Sequence, residues 1–103
     1  MKIIRCLSEK IEDEMDDAQD YIELAMKWKQ EVPEAAELFY TLSIEEMGHM
    51  AKLHDEVANL ITKYRDEHGE PPKDMMTLYE YLHEKHIKRA TEIRVRQGMF
   101  TGA

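Results

Sequence analysis

Two long stretches of the chain carry apolar side chains at alternating spacings of four and three residues, the repeat of a helix that packs along one side. In residues 7–29 the row consists of Leu7, Ile11, Glu14, Ala18, Tyr21, Ala25 and Trp28. In residues 33–65 the row consists of Ala35, Phe39, Leu42, Glu46, His49, Leu53, Glu56 and Leu60. The pattern predicts two amphipathic helices, and a second apolar row widens the face of the first: Met15, Ile22 and Met26.

The connection between these two helices is short and ends at Pro33. The residue before a proline avoids the helical conformation, whereas proline itself suits the first position of a helix. A short connection predicts an antiparallel hairpin, in which the numbers of facing residues add up to a constant of about 60 to 62. Glu14 then faces Glu46, and Tyr21 faces Phe39.

A candidate metal site follows from this register. Glu46 and His49 lie one turn apart on the same side of the second helix, so a carboxylate and an imidazole can reach one ion together. Glu14 faces them at the same height, and neither row carries a Lys or Arg at that level. Two facing carboxylates need a shared proton, a basic partner or a cation. A cation is the simplest compensation, and iron or manganese fits carboxylate and imidazole ligands.

A third helix is predicted over residues 75–97, after a connector over residues 65–74 that contains Gly69, Pro71 and Pro72. Two apolar rows compete to be its buried side. One contains Leu78, Leu82 and Ile87, and the other contains Tyr79, His83, His86, Ala90 and Ile93. Residues 98–103 are expected to fray.

A second Glu-x-x-His pair, Glu80 and His83, lies on this third helix. If the helix folds straight back on the second, His83 is level with Glu56 and lies about 15 Å from the level of Glu46. The pair therefore does not join the first site. Glu56, Glu80 and His83 are candidates for a lesser second metal site, and a hydrogen-bonded surface histidine is the alternative. His54 and His86 have no stronger claim.

Length and charge limit the remaining classes. A chain of 103 residues makes one domain, residues 1–103, of all-α class, and its net charge of −8 argues against nucleic acid as a partner. The single cysteine and the lack of a secretory or membrane-spanning apolar run favour a cytoplasmic protein that does not enter a membrane. The first helix also carries an acidic side, expected to be solvated unless it gathers cations: Glu12, Asp13, Asp16, Asp17 and Asp20.

One hairpin supplies only half of a known type of site. A carboxylate-bridged metal pair in a four-helix bundle takes four Glu and two His. A twofold homodimer would double Glu14, Glu46 and His49 and would also bury the wide apolar faces. A dimer or a ring of dimers that forms a four-helix bundle is therefore predicted, with both chains contributing to the site.

The pattern of Glu14, Tyr21 and Glu46-x-x-His49 resembles the first half of ferritin, bacterioferritin and rubrerythrin bundles, and the single hairpin looks most like encapsulated ferritins and small phage-encoded ferritin-like proteins. The resemblance implies that Glu46 bridges two irons, that Glu14 is a bridging or terminal ligand, and that His49 is a terminal ligand. It also implies a hydrogen-bonding or redox-active role for Tyr21. Three acids lie near the acidic entry route of such families: Asp13, Asp16 and Asp17. A surrounding protein shell is a further partner that the resemblance implies.

The leading hypothesis is a di-iron ferroxidase, an oxidoreductase that converts Fe(II) to Fe(III) with O2 at a site shared by two subunits. Two alternatives stay open. One is a non-catalytic helical dimer stabilised by iron, manganese or zinc, and the other is an acidic assembly or adaptor protein whose polar row only sets the register.

Overall fold

Three long α-helices form the part of the chain that the computed structural model describes, residues 2–102. They are α1 (Lys2–Trp28), α2 (Pro33–His68) and α3 (Lys73–Gly102). The molecule measures 56 × 18 × 17 Å, close to the roughly 54 Å expected for the 36 residues of α2 alone. The all-α prediction is confirmed within these residues, and none of their helices is long and apolar enough to cross a bilayer.

The ends of α2 follow from its proline and glycine residues. Pro33 begins the helix, and the amide of Val32 donates to the carbonyl of Trp28 at 2.9 Å, which closes α1. At the other end the amide of Gly69 donates to Arg65 at 2.9 Å, with a φ of 81° that suits glycine. All three helices keep the predicted order, but α1 and α3 begin before the predicted bounds, and α2 and α3 end after them.

The predicted register of the α1–α2 hairpin is confirmed by two contacts. Ser43 Oγ donates a buried hydrogen bond to the carbonyl of Ala18 at 2.7 Å. The rings of Tyr21 and Phe39 stack with centroids 6.3 Å apart. In both pairs the two residue numbers add up to the constant of about 60 to 62 that was predicted for an antiparallel hairpin with this short connection.

The core lies to one side of the predicted rows. Only Ile11, Ala18 and Ala25 of those rows are fully buried. The buried set is otherwise the neighbouring rows of each helix, namely Ile4, Ser8, Met15 and Ile22 of α1 and Ala36, Ser43, Met47, Met50, Val57 and Ile61 of α2. In the single chain Glu46 is half-buried and His49 is exposed, because the core that includes α3 lies on the neighbouring side of the hairpin. Burial of this row by a second chain stays a prediction.

Helix α3 runs parallel to α1 and pairs with two acids of its acidic side. His86 Nε2 lies 3.3 Å from Glu12 Oε1, and Arg96 lies 2.8 Å from Glu23. Arg89 pairs with Asp16. The acidic side is otherwise solvated as expected, since Asp13, Asp16, Asp17 and Asp20 are exposed, whereas Glu12 is half-buried beside His86. At 100° per residue these partners point away from Glu14, so α3 packs on the side of α1 that is opposite to Glu14.

The C-terminal segment is helical and packed rather than frayed. Phe100 is 5% exposed, and its ring stacks on Tyr40 with centroids 5.0 Å apart. Lys29 Nζ donates to the carbonyl of Phe100 at 2.6 Å. The predicted fraying is wrong for residues 98–102, because an aromatic anchor holds the last turns against the hairpin; Ala103 lies outside the described residues.

A buried polar contact links all three helices. Ser43 Oγ accepts a hydrogen bond from Gln97 Nε2 at 2.9 Å while it donates to Ala18. Ser43 is 0% exposed and Gln97 is 6% exposed. Since buried polar groups are costly without partners, this contact favours one position of α3 along the hairpin.

Replacing Ser43→Ala should lower the free energy of unfolding by about 1 to 3 kcal/mol, because it leaves the Gln97 amide buried without its acceptor. Chemical denaturation followed by circular dichroism measures the loss. The exposed neighbour Thr41→Ala serves as the control. The double variant Ser43→Ala/Gln97→Leu should regain part of the stability, and a double variant that is less stable than Ser43→Ala would contradict this account.

Candidate metal centre

Glu14 of α1 and Glu46 and His49 of α2 converge on one place. His49 Nδ1 lies 3.4 Å from Glu14 Oε2 and 3.7 Å from Glu46 Oε2. One donor atom from each of the three residues lies within 4.8 Å of the others. Donors bound to one ion at about 2.0 to 2.2 Å are roughly 3 Å apart, so small side-chain movements bring all three into range. The structure thus brings together the three residues that the sequence selected.

The hairpin holds this group in place through small residues one turn away. Ala18 and Ser43 are both 0% exposed, and their hydrogen bond requires α1 and α2 to approach closely there. Met15 and Met47 are buried beside the two glutamates. The carboxylates are therefore fixed at one height by the packing beneath them.

Glu14 carries a buried oxygen without a hydrogen bond. Its Oε2 atom is fully buried, and no amide, imidazole or hydroxyl group of the described residues donates a hydrogen bond to it. Its nearest ion-pair partner is His49, and no Lys or Arg of residues 2–102 pairs with either glutamate. An uncompensated buried acceptor costs about 1 to 3 kcal/mol, so the site favours an added cation or proton.

The same crowding makes Glu46 hard to ionise. A hydrogen bond with Glu14, which only a protonated carboxyl can donate, raises the pKa of Glu46 to about 7. Burial and the negative charge of Glu14 also raise this pKa, and the charge of Asp17 adds to them, whereas His49 opposes the rise. A bound cation would reverse this balance and favour both carboxylates in the ionised form.

The group lies at the edge of the core and opens to solvent. The side chains of Glu14 and Glu46 are 25% and 18% exposed, whereas that of His49 is 55% exposed. Half-buried apolar residues continue the same face of the hairpin in both directions, namely Leu7, Tyr21, Leu24, Trp28, Ala35, Phe39, Leu42, Leu53 and Leu60. We call these residues, together with the exposed Leu38 and the three donor residues, the open face.

The remaining predicted site residues do not join the three donors. Tyr21 is half-buried on Phe39, two turns from Glu14. Asp17 is exposed but close enough to act on Glu46, and Asp13 lies 3.8 Å from Lys10. Asp16 is engaged by Arg89, on the other side of α1. The exposed Glu56 belongs to no metal-type group among the described residues.

Two histidine contacts were missed by the sequence reading. His54 Nε2 lies 2.9 Å from His83 Nδ1, and the two rings stack. Burial and the nearby His54 lower the pKa of His83. His86 is buried against Glu12. The predicted register between the second and third helices placed His83 within two residues of the level of His54, which was the signal for this contact. Glu80, the other member of the Glu-x-x-His pair, is exposed.

No protein-family model, curated protein or solved structure matches this chain.

The stability of the metal-free protein should carry a pH dependence from Glu46. Because its folded pKa is raised to about 7 from 4.5, the folded state retains a proton that the unfolded state loses over this window. The contribution of Glu46 to stability is thus present below the unfolded pKa and is lost as the pH rises through the folded pKa. Thermal unfolding with a chelator present should show that the free energy of unfolding falls more steeply from pH 5 to 8 in the wild type than in Glu46→Gln. The difference between the two slopes should correspond to about one bound proton at most.

The matched control is Glu45→Gln, which makes the same change of charge at an exposed position one residue away. Its pH profile should follow that of the wild type. Equal slopes for Glu46→Gln and the wild type would show that the two carboxylates do not share a proton.

Proposed function

We propose that this chain is a ferritin-like half-bundle that dimerises through its open face, binds two irons between the subunits and oxidises Fe(II) to Fe(III) with O2. The observation that carries the proposal is the convergence of Glu14, Glu46 and His49 around a buried oxygen that lacks a hydrogen bond. Two carboxylates and one imidazole are half of the four-Glu, two-His set that holds a metal pair in helical bundles. A second copy of the same face supplies the other half.

The arrangement of the helices supports dimerisation at this place. Helix α3 packs opposite to Glu14, so it leaves the open face uncovered. That face exposes Leu38 by 57% and half-exposes a row of leucines and aromatics. A twofold contact repeats each interaction, so one axis near Glu14 and Glu46 sets both half-sites together and buries both apolar rows.

The chemistry of the donors suits iron as substrate. Carboxylates are hard ligands that bind Fe(II) and favour the higher charge of Fe(III), and the imidazole of His49 completes a mixed oxygen and nitrogen set. A pair of Fe(II) ions supplies two electrons, which together with two protons reduce O2 to hydrogen peroxide. The protein's part is to hold both ions at one place and to shed the proton of Glu46 as they bind. Tyr21 lies on the same face at the edge of the site, where it can order solvent or donate an electron.

Glu46→Ala and His49→Ala should each lower the rate of Fe(II) oxidation at least tenfold, by about 1.4 kcal/mol or more of barrier, because each dimer then loses two donors. Anaerobic addition of Fe(II) followed by exposure to air, with absorbance recorded against iron alone, measures the rate. Glu45→Ala, beside the site but exposed, is the matched control and should keep the wild-type rate. Wild-type protein that oxidises no faster than iron alone would refute the enzymatic proposal.

Leu38→Asp should weaken dimerisation at least tenfold, since it adds a charge to the open face about 12 Å from Glu46 without touching a donor. Sedimentation velocity with and without iron measures the association. Ile44→Asp is the matched control, because Ile44 is also exposed on α2, by 43%, but points away from the open face. Equal effects of the two substitutions would place the dimer contact elsewhere.

The same two experiments separate the non-catalytic alternative. A helical dimer that is only stabilised by metal would lose association in Glu46→Ala and His49→Ala, yet the wild type would show no oxidation above the iron control. An acidic adaptor would show no oxidation above the iron control, and iron would not change its association.

A further inference from the structure

The contact between α2 and α3 contains a second group of donors that is independent of the carboxylate site. His54 Nε2 of α2 and His83 Nδ1 of α3 lie 2.9 Å apart. We propose that His54 and His83 form a two-imidazole site for a borderline divalent cation such as Ni²⁺, Cu²⁺ or Zn²⁺, and that the bound cation fastens α3 to α2.

The spacing of the two nitrogens fits a shared ion. Bonds of about 2.0 to 2.1 Å at a right angle place two ligand nitrogens about 2.9 Å apart. The structure therefore has the spacing of adjacent positions around square-planar or octahedral Cu²⁺ or Ni²⁺. Tetrahedral Zn²⁺ requires a separation of about 3.3 Å, which a small rotation of either ring supplies.

Neighbouring side chains hold the rings in this orientation. The ring of Tyr79 stacks on His83 with centroids 5.6 Å apart, and the two imidazoles stack on each other at 4.7 Å. Asp55 Oδ1 lies 3.9 Å from His54 Nδ1, the nitrogen that must carry the proton when Nε2 binds an ion. The side chain of His54 is 34% exposed, so solvent can reach the ion and complete its coordination.

The two donor sets differ in chemical preference. Glu14, Glu46 and His49 present mainly carboxylate oxygens, which suit iron or manganese. His54 and His83 present imidazole nitrogens alone, which favour nickel, copper and zinc. The chain would thus sort metals by ligand type, with one site on the open face and the other between α2 and α3.

An ion at this position would strengthen the weakest contact in the bundle. Helix α3 packs mainly on α1 and meets α2 at few places. Ser43 and Gln97 join α2 and α3 near the C-terminal end of α3, whereas His54 and His83 join them nearer its beginning. A cation would therefore fix the N-terminal half of α3, which lies far from the Ser43–Gln97 contact.

The test uses the full chain with Glu46→Gln and His49→Ala, which remove the carboxylate site. Calorimetric titration with NiCl2 alone should show that one Ni²⁺ ion binds per chain. Adding His83→Phe, which keeps a ring against Tyr79 but removes the nitrogen, should weaken binding at least about tenfold. His68→Gln, a histidine of α2 that is 59% exposed, is the matched control and should leave binding unchanged.

Two further measurements keep the test decisive. Cu²⁺ in the same background should give an electron paramagnetic resonance spectrum with two coupled nitrogens, reduced to one in His54→Gln. Hydrogen exchange over residues 73–86 should slow on addition of NiCl2 only when both histidines are present. The proposal is overturned if the background binds no Ni²⁺, or if His83→Phe and His54→Gln, each shown to be helical, bind it as the background does.

Discussion

The close approach of α1 and α2 at Ala18 and Ser43 is the contact on which the rest of the molecule depends. Only small side chains allow the backbones to come this near, and the Ser43 hydroxyl uses the proximity to bond the carbonyl of Ala18. Because the side chains are fixed there, Glu14 and Glu46 meet one turn away. The same hydroxyl receives Gln97, so the position of α3 follows from the same point.

Local patterns in the sequence were enough to predict the hairpin and the three donors. Pro33 sets the turn, the turn sets the register, and the register brings Glu14 to Glu46 and His49. These steps depend on neighbours in the chain and on the constant geometry of an antiparallel pair. The site could therefore be located without knowledge of the third helix.

The depth of the site could not be predicted in the same way. Each helix of the hairpin has two adjacent apolar rows, and the sequence alone does not say which row is central. That choice depends on α3, whose His86, Arg89 and Arg96 pair with Glu12, Asp16 and Glu23 of α1 across more than 70 positions of sequence. The aromatic contact of Phe100 with Tyr40 also joins residues that are far apart in the chain. The repeat of apolar residues does not show which row packs against a helix that is distant in the chain. The row of the open face was therefore predicted to be the buried one.

The placement of α3 also divides the charge of the molecule unequally. On the side that α3 covers, Arg89 and Arg96 neutralise Asp16 and Glu23. Asp17 is exposed toward the other side, and its charge reaches Glu46. Asp17 thus adds negative charge beside the Glu14–Glu46 pair in a chain whose net charge is −8, and negative charge at one place attracts small cations. In the dimer proposed above, cation binding and association would therefore respond to salt in opposite ways: screening would weaken the attraction for the ion and would also reduce the repulsion between two acidic faces.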